Sequence, residues 1–193
     1  MASAEPTLEK WRADPHYPRV GSWMDTHTRL LAYLQALRAS ALFASKVATA
    51  EELGALWQRV LPRLATAFDD LELLLDAHST LEDRKLFPFL DQFGAFGRER
   101  AQFAREHEAL DGAMHRVSAG LSGLRELAER AGEAQSVAEL ALRLQGDFVA
   151  LDESMRAHFI GEETAAVPLM LSLTDEQHRT YSTFSLAKPA SRL

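Results

Sequence analysis

Apolar residues recur every three to four positions along most of this chain, which is the spacing of helices that bury one face. No window alternates apolar and polar residues for long enough to predict a strand. The period first appears after Ser22, a suitable N-cap, with Leu30, Leu31, Tyr33, Leu34, Leu37, Leu42 and Phe43, and predicts a helix A over about 22–47. Thr49–Ala50–Glu51–Glu52 has the form of a capping box and opens helix B. Helix B carries Leu53, Leu56, Trp57, Val60, Leu61, Leu64, Phe68, Leu71, Leu74 and Leu75 and ends near Leu90, with Pro62 predicting a kink or a break inside it. Gly94 and Gly97 mark a turn. Helix C follows over about 98–131, with Phe103, Leu110, Met114, Val117, Leu121, Leu124 and Leu127 on one face, and Gly132 closes it. Gly112, Gly120 and Gly123 cost helix C some propensity and suit a close approach of a neighbour. Ser136–Val137–Ala138–Glu139 reads as another capping box, opening a helix D that reaches about Ala166, where Pro168 interrupts. Thr174–Asp175–Glu176–Gln177 suits the cap of a last short helix.

Four long amphipathic helices joined by short turns predict an all-α protein, an up-and-down antiparallel four-helix bundle with N- and C-terminal extensions. Residues 1–21 form the N-terminal arm, 22–171 the bundle and 172–193 the tail. Pro6, Pro15 and Pro18 make the arm irregular, and Trp11, His16 and Tyr17 make it apolar enough to pack on the body.

Composition narrows the chemistry. The 193 residues suit one domain with a sizeable core. A net charge of −7 argues against nucleic acid or an anionic membrane as partner, since both favour a basic face. No apolar run reaches the roughly 18 residues of a membrane span, and Met1–Pro6 lacks the basic and apolar regions of a signal peptide, so a cytoplasmic location is expected. The absence of cysteine excludes disulfides, thiolate nucleophiles and sulfur-ligated metals.

The histidines carry the remaining signal. His78 precedes Glu82 by four residues, so both lie on one helical face. His158 precedes Glu162 in the same way, and each histidine is followed by a second acid at +5 (Asp83, Glu163) and a proline at +10 (Pro88, Pro168). The offset between the two stretches is 80 residues, and the same offset separates His27 from His107, each followed by leucine at +3. The chain thus reads as two diverged copies of a helix pair, A–B and C–D.

Residues equidistant from a turn share a height in antiparallel neighbours. The midpoint of His78 and His107 falls at Gln92–Phe93, that of His107 and His158 at Gly132–Glu133, and that of His27 and His78 near Glu52, a few residues past the A–B turn. The four histidines are therefore expected at nearly one level. With 28 acids in 193 residues, about one of the seven histidines should have an acid at +4; His78, His107 (with Asp111) and His158 all do. So many ionisable groups facing a core demand a metal. Nitrogen and oxygen donors without sulfur suit iron, with manganese or zinc as alternatives, and a bridging carboxylate favours two ions.

This ordered set resembles the hemerythrin-like HHE domains. Those carry a histidine on helix A (here His27), His-x-x-x-Glu on helix B (His78, Glu82), a histidine on helix C (His107) and His-x-x-x-Glu/Asp on helix D (His158, Glu162), and the Leu86–Phe87–Pro88 run is also similar. The resemblance covers about 22–171. It implies a non-haem di-iron site bridged by the two glutamates and a solvent oxygen, open on one iron to O2, NO or peroxide. Asp111 stands where oxygen-carrying hemerythrins have a second helix C histidine. Fewer imidazoles and more carboxylates favour higher iron oxidation states, so sensing, peroxide or NO handling, or iron binding is expected rather than reversible O2 carriage. Asp111 and Glu163 remain candidate ligands beside the main set, although Glu162 at +4 lies closer to the face of His158 than Glu163 at +5. His115, two turns beyond His107, reads as structural or exposed, and His16 and His178 as surface residues. The arm, the tail and Phe87–Pro88–Phe89 are expected to cover the metal site.

Overall fold

The computed structural model describes residues 5–46, 50–93, 96–129 and 134–184, and among these there is no strand. The helices are α1 (Glu5–Arg12), α2 (Pro18–Lys46), α3 (Ala50–Leu81), a π-helical stretch (Glu82–Leu86), α4 (Phe87–Leu90), α5 (Gly97–Glu129), α6 (Ala134–Ser172) and α7 (Asp175–Thr183). The all-α fold class predicted from the hydrophobic period is the one observed.

The chain divides into two compact units, and the division crosses each of α2, α3, α5 and α6 once. One unit comprises Arg29–Asp76 and His107–Ala157. Its core includes Leu34, Leu71, Val117 and Leu124 of the predicted stripes, with Phe148 and Leu151 of α6, all fully buried. Phe68 of α3 meets Phe148 of α6 edge to face with ring centroids 6.2 Å apart. A Cβ on Gly120 would lie 3.0 Å from Leu144, and one on Gly123 would lie 3.1 Å from Leu140, so these two glycines do admit a close approach of α6. Gly112 has no such role, because a Cβ there would meet only the Arg116 side chain. Asp152 is buried and bonded to Arg38 on α2 and Arg156 on its own helix, each at 3.0 Å.

The other unit comprises Met1–Thr28, Ala77–Glu106 and His158–Leu193. Its core cluster joins Val20, Trp23 and Met24 of α2 with Phe87, Phe89, Phe96, Phe103, Val167 and Met170. Leu8 and Trp11 of the arm, and Tyr181 and Phe184 of the tail, pack against this same cluster. Both extensions therefore sit with the segments that carry His27, His78 and His158, as expected for a cover. The clasp is polar as well: Arg19 donates to the Leu173 carbonyl at 2.8 Å and pairs with Asp175, and Lys85 lies over the Tyr181 ring.

Several element boundaries differ from the sequence reading, and proline accounts for most of them. The arm contains α1 where no helix is expected. Helix α2 starts at Pro18 rather than Ser22, because a proline in the first turn gives up only an N–H that has no intrahelical partner. Neither Pro62 nor Pro168 ends its helix. Both are exposed, so the backbone carbonyl that each leaves unbonded can turn to water. Pro168 is flanked by buried Ala166, Val167 and Met170, whose burial continues α6 to Ser172. Pro88 behaves differently. Before it the helix widens to a π turn, and the Phe87 N–H bonds Glu82 O, five residues back. Ser136 lies inside α6, which starts at Ala134. The Thr174 capping box is present as read, with Gln177 N to Thr174 Oγ1 at 3.2 Å and Thr174 N to Gln177 Oε1 at 2.8 Å. Thr49, Gly94 and Gly132 lie outside the described residues.

Candidate metal centre

Helix periodicity brings the first pair together. His78 ends α3, Glu82 begins the π turn, and His78 Nε2 lies 3.0 Å from Glu82 Oε1. On α6, His158 Nε2 lies 3.1 Å from Glu162 Oε1 across the same i, i+4 spacing. His27 of α2 faces both carboxylates, its Nε2 being 3.6 Å from Glu82 Oε1 and 3.6 Å from Glu162 Oε2. Ligand atoms of His27, His78, Glu82 and Glu162 all lie within 4.8 Å of one another, and all four residues are buried. His107 is buried too and directly follows Glu106 on α5.

Carboxylates back two of these imidazoles. Glu163 Oε1 lies 2.9 Å from His27 Nδ1, and Glu106 Oε2 lies 2.8 Å from His158 Nδ1. A carboxylate on Nδ1 fixes the ring so that Nε2 points at the shared space. Glu163 therefore stands behind His27 rather than among the converging donors. Its +5 spacing turns it about 140° from His158 around the helix, against about 40° for Glu162. Asp111 is also not among those donors. It is 71% exposed, with Oδ1 3.5 Å from Nδ1 of His115, itself 69% exposed. The i, i+4 rule lets side chains meet but does not choose their face, and Asp111 stays hydrated. His16 and His178 are half-buried rather than on the open surface. Burial, Arg19 and His16 together lower the pKa of His178, against a raising effect of Asp175.

Aromatic rings wall the site. Phe159 stacks on His27 with centroids 4.2 Å apart and planes 7° apart, and Phe103 meets His158 at 6.0 Å. Trp23 lies against His27 at 4.4 Å, and its Nε1–H donates to Glu82 Oε1 at 2.7 Å. Trp23, Glu106 and Phe159 were not expected at the site. Trp23 precedes His27 by one helical turn, a spacing that could have signalled it; Glu106 and Phe159 adjoin histidines but lie off their faces, and nothing in the sequence marks them.

The electrostatics of the site favour a cation. Burial lowers the pKa of His27, but the bond to Glu163 and the carboxylates of Glu82 and Glu162 outweigh it, and the pKa rises to about 9. Without metal, a proton on His27 offsets the buried negative charge. The buried Nε2 atoms of His27 and His78 make no hydrogen bond. Imidazole nitrogens and carboxylate oxygens, buried and aimed at one another, fit a divalent transition metal.

The family model of the hemerythrin HHE cation binding domain matches residues 20–169. No curated protein and no solved structure matches the chain. With three-quarters of its length matched and a buried His/Glu cluster in place, the chain belongs to the hemerythrin HHE cation-binding domain family.

Proposed function

We propose that this protein holds two iron ions and responds to O2, NO or peroxide, as a sensor or a detoxifying protein rather than a reversible O2 carrier. The observation that carries the reading is the buried, sulfur-free donor set of His27, His78, Glu82 and Glu162. The family pattern adds His107 and His158. Glu162 presents one oxygen to His158 and the other to His27, an arrangement that suits a bridge between two ions. Held by these residues, a di-iron centre would supply redox chemistry toward a small diatomic ligand or peroxide. The chain's own residues supply orientation and exclusion of water: Glu163 and Glu106 hold imidazoles, and Phe159, Phe103 and the core cluster around Phe87 keep the site dry. Exposed Asp111, where oxygen carriers have a histidine, supports a site poorer in imidazole. No helix among the described residues is long and apolar enough to cross a membrane.

Anaerobic iron loading followed by metal analysis and absorption spectra tests this reading. Two irons per chain, with an oxo-bridge charge-transfer band after air and no lasting oxygenated spectrum, is the expected result. A stable oxygenated spectrum would identify a carrier. Labile, sub-stoichiometric iron would indicate storage, and no uptake of any metal would leave an interaction module.

A further inference from the structure

The internal repeat sets residues of the two halves against each other at an offset of 80: His27 with His107, His78 with His158, and Glu82 with Glu162. The same offset sets Trp23 against Phe103. Both are buried, and each lies against a histidine of the site, Trp23 on His27 and Phe103 on His158. They differ in one chemical respect. The indole carries an N–H, which is given to Glu82 Oε1 at 2.7 Å, whereas a phenyl ring has nothing to donate to Glu162.

We propose that Trp23 is a positioning residue of the metal site, whose indole N–H holds Oε1 of Glu82 and makes the His27–His78–Glu82 half chemically distinct from its repeat-related half. The inference rests on the metal-binding reading above. A hydrogen bond to an ionised carboxylate is strong when both groups are buried, and Glu82 is fully buried. It does two things. It fixes the rotation of the carboxylate, and with it the direction of Oε1, which lies 3.0 Å from His78 Nε2 and 3.6 Å from His27 Nε2. It also draws electron density from that oxygen, which weakens Glu82 as a donor and favours the lower charge state of an ion bound there. Trp23 and His27 lie one turn apart on α2, so one turn delivers both a ligand and the group that aims another helix's ligand. The ring of Trp23 also belongs to the aromatic core cluster, which locks its rotamer.

The test is Trp23→Phe, which gives both halves the same aromatic residue. In iron-loaded protein the expected result is a fall in the midpoint potential of one of the two irons, equivalent to about a tenfold change in its ferric-to-ferrous ratio (~59 mV for one electron), with a smaller shift at the other iron, which shares Glu82 in the family's bridged arrangement. Affinity for one of two Co(II) ions, measured by competition with a chelator, should fall about tenfold, because the loss of orientation outweighs the gain in donor strength of Glu82 and partners that orient ligands act at that scale. Potentials and both affinities equal to wild type would overturn the inference. A second measurement leaves Trp23 in place. In the Trp11→Phe, Trp57→Phe protein, resonance Raman of the lone indole should report a strongly hydrogen-bonded N–H both with and without Zn(II); a free N–H in the loaded protein would overturn the proposal even if Trp23→Phe fails to fold. Wild-type protein that takes up no metal would instead overturn the metal-site reading, and this inference with it.

Discussion

His27 governs the metal-free site. Its pKa of about 9 stands above the ordinary 6.5, so folding takes up a proton there. The stability this adds is fully present below about pH 6.5 and is lost as pH rises through about 9, a change of about 3 kcal/mol. Urea unfolding with chelator present should therefore show falling stability across this window, and His27→Gln should lose that component of the slope. A metal on Nε2 displaces the proton, so metal uptake should become easier over the same range. Two further carboxylates separate by location. Glu163→Gln takes the charge from the partner of His27 Nδ1 and should weaken metal binding about tenfold, measured by chelator competition. Asp111→Ala alters an exposed side chain paired with His115 and should leave the affinity unchanged. Asp111 was a candidate ligand on its spacing from His107 and Glu163 on the family resemblance; spacing resolves rotation about a helix but not which way a short side chain finally points.

At the level of elements, neighbours decide what a glycine or a proline does. Gly146 of α6 has nothing within 4 Å of where a Cβ would stand, so Gly146→Ala should stabilise by about 1 kcal/mol through helix propensity. Gly120→Ala offers the same propensity but places its Cβ 3.0 Å from Leu144, so steric cost should cancel the gain. Urea denaturation of the two variants should differ by about 1 kcal/mol. Pro88 and Pro168 stand ten residues after their histidines, yet only Pro88 follows a π turn. An i→i+5 turn moves the backbone away from the proline ring and carries the chain onward with Glu82 still facing His78. Pro168 faces solvent beside a buried stripe, where an unbonded carbonyl costs little.

For the whole molecule, the three segments with His27, His78 and His158 share a unit with the arm and the tail. Metal binding should raise the stability of the folded chain by up to about 4 kcal/mol at a free metal concentration a thousand times Kd. Thermal melts with and without chelator measure this directly. Hydrogen exchange should show the added protection in 18–28, 77–90, 103–110 and 155–167, the backbone that bears the proposed ligands.

The linear pattern alone determined the helical class, the four long helices, the pseudo-repeat and the His/Glu pairs. All of these rest on interactions within about one helical turn or on periodicity, which are properties of adjacent residues. Tertiary structure decided the rest. It made Glu163 a partner of His27, left Asp111 in solvent, gave Trp23 to Glu82 and Glu106 to His158, and ran α6 through Pro168. The bond between Trp23 and Glu82 spans 59 residues and that between His27 and Glu163 spans 136. Such choices depend on which distant groups share a dry space, and burial there makes an unpaired polar atom too costly to leave.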